Sequence, residues 1–123
     1  MPGITSQADP VAYVTTDNYA VVPGSTVTTI LGDTGALSIT VSNTGANSIK
    51  WEVVATNEPV KQGADIDIST AHYVVVCAEA TLANAVTAGY TEDHAHYRHY
   101  AVLAKASVGS SQGAALVHAL AKG

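Results

Sequence analysis

Residues 36–59 read ALSITVSNTGANSIKWEVVATNEP, and their alternation leaves few folds open to the chain. Leu37, Ile39 and Val41 alternate with Ala36, Ser38, Thr40 and Ser42, the period-2 pattern of a half-buried strand. Ile49, Trp51, Val53 and Ala55 then alternate with Ser48, Lys50, Glu52 and Val54. Between them, Asn43-Thr44-Gly45-Ala46-Asn47 is a polar connector whose glycine accepts positive φ, as hairpin loops of about three to five residues require. The expectation is a β-hairpin that turns both apolar rows, and the chain's single Trp, toward one core.

The rest of the chain repeats this pattern in shorter pieces. Residues 1–10 carry two prolines and a glycine without periodicity and read as an extended, flexible N-terminal arm. Residues 11–22 (VAYVTTDNYAVV) are rich in β-branched and aromatic side chains around a Thr-Asp-Asn break, which gives two short strands or one bent one. Pro23-Gly24 is a type II turn dipeptide, with fixed φ first and positive φ second. A strand is expected over 26–31, and Gly32-Asp33-Thr34-Gly35 closes it. After the hairpin, Pro59 stops the ladder, 60–65 is loop, and Asp65-Ile66-Asp67-Ile68-Ser69 alternates weakly enough for a short edge strand.

Residues 72–89 are ambiguous. Val74-Val75-Val76 favours a strand over 73–78, whereas the Ala-rich run that follows sets Leu82, Ala85 and Val86 at helical spacing, so a loop or short helical turn is expected there. Residues 90–96 are polar and loop-like. Over 97–107 (YRHYAVLAKAS), Tyr100, Val102 and Ala104 share one face while His99, Leu103 and Lys105 share the other. Neither face is fully polar, so both are expected to be partly covered. Residues 114–121 form a last strand with Leu116, His118 and Leu120 on one face; a short helix is the alternative, and the flexible turn before it favours strand. Seven or eight short strands with turn signals between them predict an all-β fold, a single antiparallel β-sandwich of jelly-roll or Ig-like type over 11–123.

Composition narrows the work such a fold can do. Charged residues make up 12% of the 123 residues and the net charge is −5. Lys50, Lys61, Arg98, Lys105 and Lys122 form no basic cluster, which argues against nucleic acid as a partner. Low charge density offers little electrostatic resistance to subunit packing. Cys77 is the lone cysteine, so the fold is expected to hold without an intrachain disulfide, with the thiol as a small buried hydrophobe in an apolar run. The first ten residues have neither a basic nor an apolar region of a secretory signal, and no apolar run reaches the ~18 residues of a membrane span. Synthesis in a cytoplasm, with no membrane partner, is therefore expected.

One dense polar cluster stands out, Glu92-Asp93-His94-Ala95-His96-Tyr97-Arg98-His99. On a strand, His94 and His96 would share a face as HxH zinc ligands do, with His99 or Glu92 third and His72 or His118 fourth. The competing reading is a polar loop leading into a strand, and no cysteine pairs with these histidines. No catalytic residue is assigned. There is no Gly-x-Ser-x-Gly elbow, Ser110 and Ser111 sit in a flexible turn, and the pairs Asp65/Asp67 and Glu92/Asp93 have no apolar enclosure to separate their pKa values. No cofactor is implied, since neither GxGxxG nor a P-loop occurs, and Asp17 and Asp33 lack calcium-loop spacing. Tyr13, Tyr19, Tyr73, Tyr90, Tyr97, Tyr100 and Trp51 offer either a sugar-stacking platform or ordinary core and interface packing.

Residues 37–53 (LSITVSNTGANSIKWEV) and 97–107 (YRHYAVLAKAS), the latter followed by a Gly-Ser-rich turn and a final strand, resemble small virion proteins of tailed bacteriophages. In those, an NTG-N-I-W-V hairpin precedes a late Y-R-Y--V--KS---G strand pair within a β-sandwich. The resemblance spans about half the chain by its spacing and describes a sandwich more than an activity. His99 and Ala104 stand where related chains often carry another aromatic or a basic residue. The resemblance implies a non-enzymatic structural part of the particle: a capsid decoration protein, or a head–tail or tail component. It would act as a homo-oligomer and through contacts with other virion proteins such as the major capsid or tail proteins, and would reside in the virion. A β-sandwich module that binds glycan or metal is the alternative.

Overall fold

The computed structural model describes residues 4–8, 12–14, 18–29, 35–107 and 113–122. Among them are ten strand segments and no helix: β1 (Ile4–Ala8), β2 (Ala12–Val14), β3 (Ala20–Val21), β4 (Val27–Thr28), β5 (Ala36–Asn43), β6 (Ile49–Thr56), β7 (Val74–Leu82), β8 (Thr87–Glu92), β9 (His99–Ala106) and β10 (Gly113–Lys122). One sheet runs β1–β10–β5–β8 with β2 also on β10; the other runs β3–β9–β6–β7 with β4 also on β9. All pairings are antiparallel. β1 and β2 lie along successive parts of β10, and β3 and β4 along successive parts of β9, so each couple is one interrupted strand. Counted that way there are eight strands, paired first with last and so on inward: β1/β2 with β10, β3/β4 with β9, β5 with β8, β6 with β7. This nested order, wrapped so that two four-stranded sheets face each other, is a jelly roll. The expected antiparallel β-sandwich is present, in its jelly-roll form.

The segment 36–59 is two strands, but not a hairpin. β5 pairs with β10 and β8, while β6 pairs with β9 and β7. Their apolar rows face each other across the core instead of lying side by side. Leu37, Ile39 and Val41 from one sheet and Ile49, Trp51, Val53 and Ala55 from the other belong to one buried cluster, all at 3% exposure or less. Alternation reports that a strand has one buried face, and is blind to which sheet the next strand joins. The connector crosses because Asn43 holds it: its amide donates to the carbonyls of Asn47 (2.8 Å) and Leu82 (3.0 Å), and its Oδ1 accepts the Gly45 N–H (3.0 Å). A Cβ on Gly45 would lie 2.6 Å from the Ala114 nitrogen, and one on Gly113 2.4 Å from Ile49 Cγ2. Connector and strand start are therefore packed backbone to backbone, which admits no side chain.

Three further expectations change. Residues 78–89 are neither loop nor helix: β7 continues to Leu82, a turn follows, and β8 begins at Thr87. The turn closes with Val86 N–H donating to Ala83 O (3.2 Å), with Ala85 at φ 63°. Leu82 is buried while Ala85 and Val86 are exposed, so the helical stripe has no surface to cover, and tertiary pairing overrides the alanine propensity. Residues 65–69 are not an edge strand. Asp65 accepts the N–H groups of Gly24 (2.9 Å) and Thr26 (3.1 Å), Asp67 accepts the Ser69 N–H and the Ser69 hydroxyl, and Ile66 and Ile68 plug a second cluster. The alternation there serves a loop draped over a sheet. Finally, the described part of the N-terminal arm, β1, pairs along β10 from Ile4↔Lys122 to Ala8↔His118 and so belongs to the sheet.

β9 has both faces covered, as its sequence implied. Tyr100, Val102 and Ala104 enter the main core, and Ala101 and Leu103 meet Val54 and Ile66 in the second cluster. β10 sends Ala115, Val117, Ala119 and Ala121 inward and Leu116, His118 and Leu120 outward. Two alanines of this row lie in register with larger neighbours of β5 (Ala119↔Ile39, Ala121↔Leu37), a pairing of small with large that helps fill a sandwich core. The Pro23-Gly24 turn forms as expected, Gly24 at φ 78° and Ser25 N–H donating to Val22 O (3.0 Å).

Candidate functional site

β7 and β8 each pair with one neighbour and so form one edge of each sheet. Val76, Cys77, Ala88, Tyr90, Ala95 and Tyr97 pack there against the core but stay half-buried. Beside them Tyr73, Val74, Val75 and Val86 are exposed, Val75 by 50%. The β-branched run that makes 74–76 a good strand also makes its free edge apolar. Two register shifts interrupt the β6–β7 pairing, between Trp51 and Val53 and again between Val53 and Val54. Val74 and Val75 remain in register with Ala55 and Val54. Burial, then the Glu52 charge, pushes the Cys77 thiol up, so it stays protonated and behaves as a small apolar group. Burial, then the Glu92 carboxylate, pushes the Tyr90 hydroxyl up to about 12.

A polar row crosses the outer face of the other sheet, from β3 to β7. The Tyr19 hydroxyl donates to Glu79 Oε2, Lys105 Nζ lies 3.6 Å from the same oxygen, and Lys50 Nζ lies 3.7 Å from Oε1. Lys105 also sits 4.5 Å over the Tyr19 ring. The Tyr19 hydrogen bond, followed by the two lysines, holds the Glu79 carboxyl below the usual range. Burial and Glu79 push Tyr19 and Glu52 up. The row neutralises the one carboxylate of β7. It holds no activated nucleophile, and exposed pairs of this kind add little stability.

The histidines do not converge. His94 and His96 lie exposed on the loop after β8, where no strand aligns their rings. His99, on β9, is buried with Nδ1 2.9 Å from Thr28 Oγ1, and burial and Arg98 hold its pKa down. His72 pairs with Glu58 Oε2 at 2.7 Å, and His118 is exposed on the outer face of β10. Among the described residues, no three His, Cys, Asp or Glu side chains are placed to hold a metal ion.

The aromatics do not form a platform either. Trp51 and Tyr100 are core residues, Tyr97 meets Tyr100 edge to face at 6.0 Å, Tyr19 and Tyr90 are half-buried, and Tyr73 stands alone in being exposed among the described aromatic side chains. A cleft of about 270 Å³ carries Glu58, Asp65 and Asp67, yet each carboxylate already has its own partner: His72, the 24–26 backbone and Ser69. Among the described residues, two buried side-chain polar atoms lack hydrogen bonds, Trp51 Nε1 and Glu92 Oε2. Asp17, Asp33, Ser110 and Ser111 lie outside the described residues. Sequence reasoning missed the free β7 edge; its signal was the valine run beside tyrosine, which reads equally as a buried central strand.

No protein-family model matches the chain, and no curated protein does. A solved structure described as "Crystal structure of PirA" is similar with a TM-score of 0.46 and 9% sequence identity, over 99% of this chain and 93% of that one.

Proposed function

We propose that this chain is a non-enzymatic structural protein of a tailed-phage particle, a capsid decoration protein or a head–tail or tail component, working through subunit contacts. The observation that carries the reading is the placement of exposed apolar residues. Of the five large hydrophobic side chains that stand exposed among the described residues, Tyr73, Val74 and Val75 lie at the start of β7, Val86 lies in the turn beyond its other end, and Leu120 lies on β10. Three consecutive exposed apolar side chains at the start of a free edge strand mark an interaction surface. The jelly roll is an architecture of viral capsid and lectin domains, so it is compatible with the reading without selecting it. The resemblance of 37–53 and 97–107 to phage virion proteins supplies the choice. Against the glycan- or metal-binding alternative stand the burial of Trp51 and Tyr100 and the separation of His99 from His94 and His96.

Proteomic analysis of purified particles produced by the source genome tests the proposal. The chain is expected in stoichiometric amount in the particle fraction. Its absence from particles, while abundant in the lysate, overturns the reading.

A further inference from the structure

We infer that the cleft where the β5–β6 and β7–β8 connectors meet binds an uncharged sugar residue, held by hydrogen bonds alone. Its volume is about 440 Å³, within the range of about 300–1,000 Å³ usual for small-molecule sites. The two clefts lined by Lys61 and Asp65 are smaller, about 190 and 270 Å³. The walls are Ser42 and Thr87 from the paired ends of β5 and β8, Thr44 and Gly45 from one connector, and Asn84 and Ala85 from the other. Asn43 ties these walls together. Its N–H donates to Val86 O (3.0 Å), its carbonyl accepts the Ala85 N–H (2.8 Å), and its side chain holds Leu82 O and the Gly45 N–H. A cleft fixed in this way loses little freedom when a ligand enters.

The lining chemistry names the ligand class. The Asn84 amide and the Thr44 hydroxyl have no hydrogen-bond partner among the described residues, so both are free to meet a ligand. Ser42 Oγ and Thr87 Oγ1 lie 2.7 Å apart, and since one donates to the other, the pair keeps one hydroxyl proton and spare lone pairs. None of the seven lining residues is charged or aromatic. A phosphate or carboxylate therefore meets no counter-charge, and a nucleobase has no ring to stack on. Adjacent sugar hydroxyls, each donor and acceptor at once, match a wall of amide and hydroxyl groups. The turn supports the assignment. Its positive φ of 63° falls on Ala85, where glycine or asparagine is usual, while the asparagine stands one place earlier and relieves no strain. What Asn84 contributes is its side chain, and backbone strain of this kind gathers at ligand sites. The site shares no residue with the tyrosine or histidine sets and does not depend on the particle role.

A few hydrogen bonds exchanged with water bind a single sugar weakly, with Kd of ~1 mM. The test is amide NMR of the full chain, titrated with the methyl glycosides of glucose, galactose, mannose and N-acetylglucosamine up to ~100 mM. At least one of them is expected to shift the amides of Thr44, Asn84, Ala85 and Thr87 along saturating curves. Asn84→Ala, which removes a side chain bonded to nothing in the fold, is expected to weaken binding about tenfold with an unchanged melting temperature. Thr44→Val is the second such variant, with the same expected outcome. The inference is overturned if no sugar gives saturating shifts at those amides, or if both variants bind as the native chain does. It is also overturned if glycerol shifts the same amides as strongly at equal concentration, since any hydroxyl compound would then suffice. Saturating shifts with inorganic phosphate in place of the sugars assign the cleft to an anion and overturn it too. The two readings fail separately: a chain in particles that binds no sugar keeps the particle role, and a sugar-binding chain absent from particles keeps the site.

Discussion

Replacing Ser25 by alanine removes one oxygen atom and is expected to cost about 2 kcal/mol. Ser25 has no exposure and sits where the Pro23-Gly24 turn separates β3 from β4. Both strands pair with β9, at Val21↔Leu103 and Val27↔Tyr100, which leaves Val102 opposite the turn. The serine hydroxyl stands in for the missing strand: it accepts the Val102 N–H (3.1 Å) and donates to the Val102 carbonyl (3.3 Å). In Ser25→Ala the carbonyl keeps the Val22 N–H at 2.9 Å, but the amide loses its partner in a place water does not reach. An orphaned buried donor costs about 1–3 kcal/mol, and the small loss of volume adds little. For a domain of this size that lowers the melting temperature by roughly 8 °C. Urea titration is the assay: the midpoint should fall while the slope stays constant, because the substitution leaves the surface exposed on unfolding nearly unchanged. Ser38→Ala, on an exposed position of β5, should change stability by less than about 0.5 kcal/mol. If the two variants unfold alike, the argument that Ser25 completes the β9 ladder is refuted.

The remaining predictions follow the same logic. Ala85→Gly should raise stability by roughly 0.5–1 kcal/mol, since φ 63° costs an L-residue about that much more than glycine; a lower midpoint would refute the left-handed turn. Gly113→Ala should cost roughly 1–3 kcal/mol, because its methyl would meet Ile49 Cγ2 at 2.4 Å and Asn47 O at 2.9 Å; an unchanged melting curve would mean that the crossing connector is not packed as described. His99 is buried with its pKa held below the usual 6.5, so the unfolded chain binds more protons than the folded one just below that pH. Its contribution is complete above about pH 6.5 and is lost as pH falls through the folded value, so the urea midpoint should decline below that pH. His99→Gln should remove that part of the decline; an identical pH profile in the variant would assign it to other groups.

Some of this architecture was legible in local pattern. The alternation of Leu37, Ile39 and Val41 and of Ile49, Trp51 and Val53 named two strands and their buried faces. The Pro23-Gly24 pair named its turn, and the mixed faces of 97–107 anticipated a strand covered on both sides. These are near-neighbour signals, because a strand's period and a turn's φ are properties of consecutive residues. The alanines of 78–88 misled for the complementary reason: intrinsic preference is weak, and pairing with β6 outweighs it. The polar cluster 92–99 misled because spacing aligns imidazoles only on a strand, and the backbone there is a loop that ends with His99 turned against Thr28.

What the sequence determined by itself is that this chain is built from short antiparallel strands with one continuous set of inward apolar rows. Only the tertiary structure decided which sheet each strand joins, and so that β5 and β6 face each other instead of pairing. It also decided that β7 lies at an edge. The physical reason is common to both. A hydrophobic row must leave water, but it gains as much by facing another row across the core as by lying beside one. The choice falls to long-range backbone pairing and close approach, such as the amide of Asn43 and the contact of Gly45 with the start of β10.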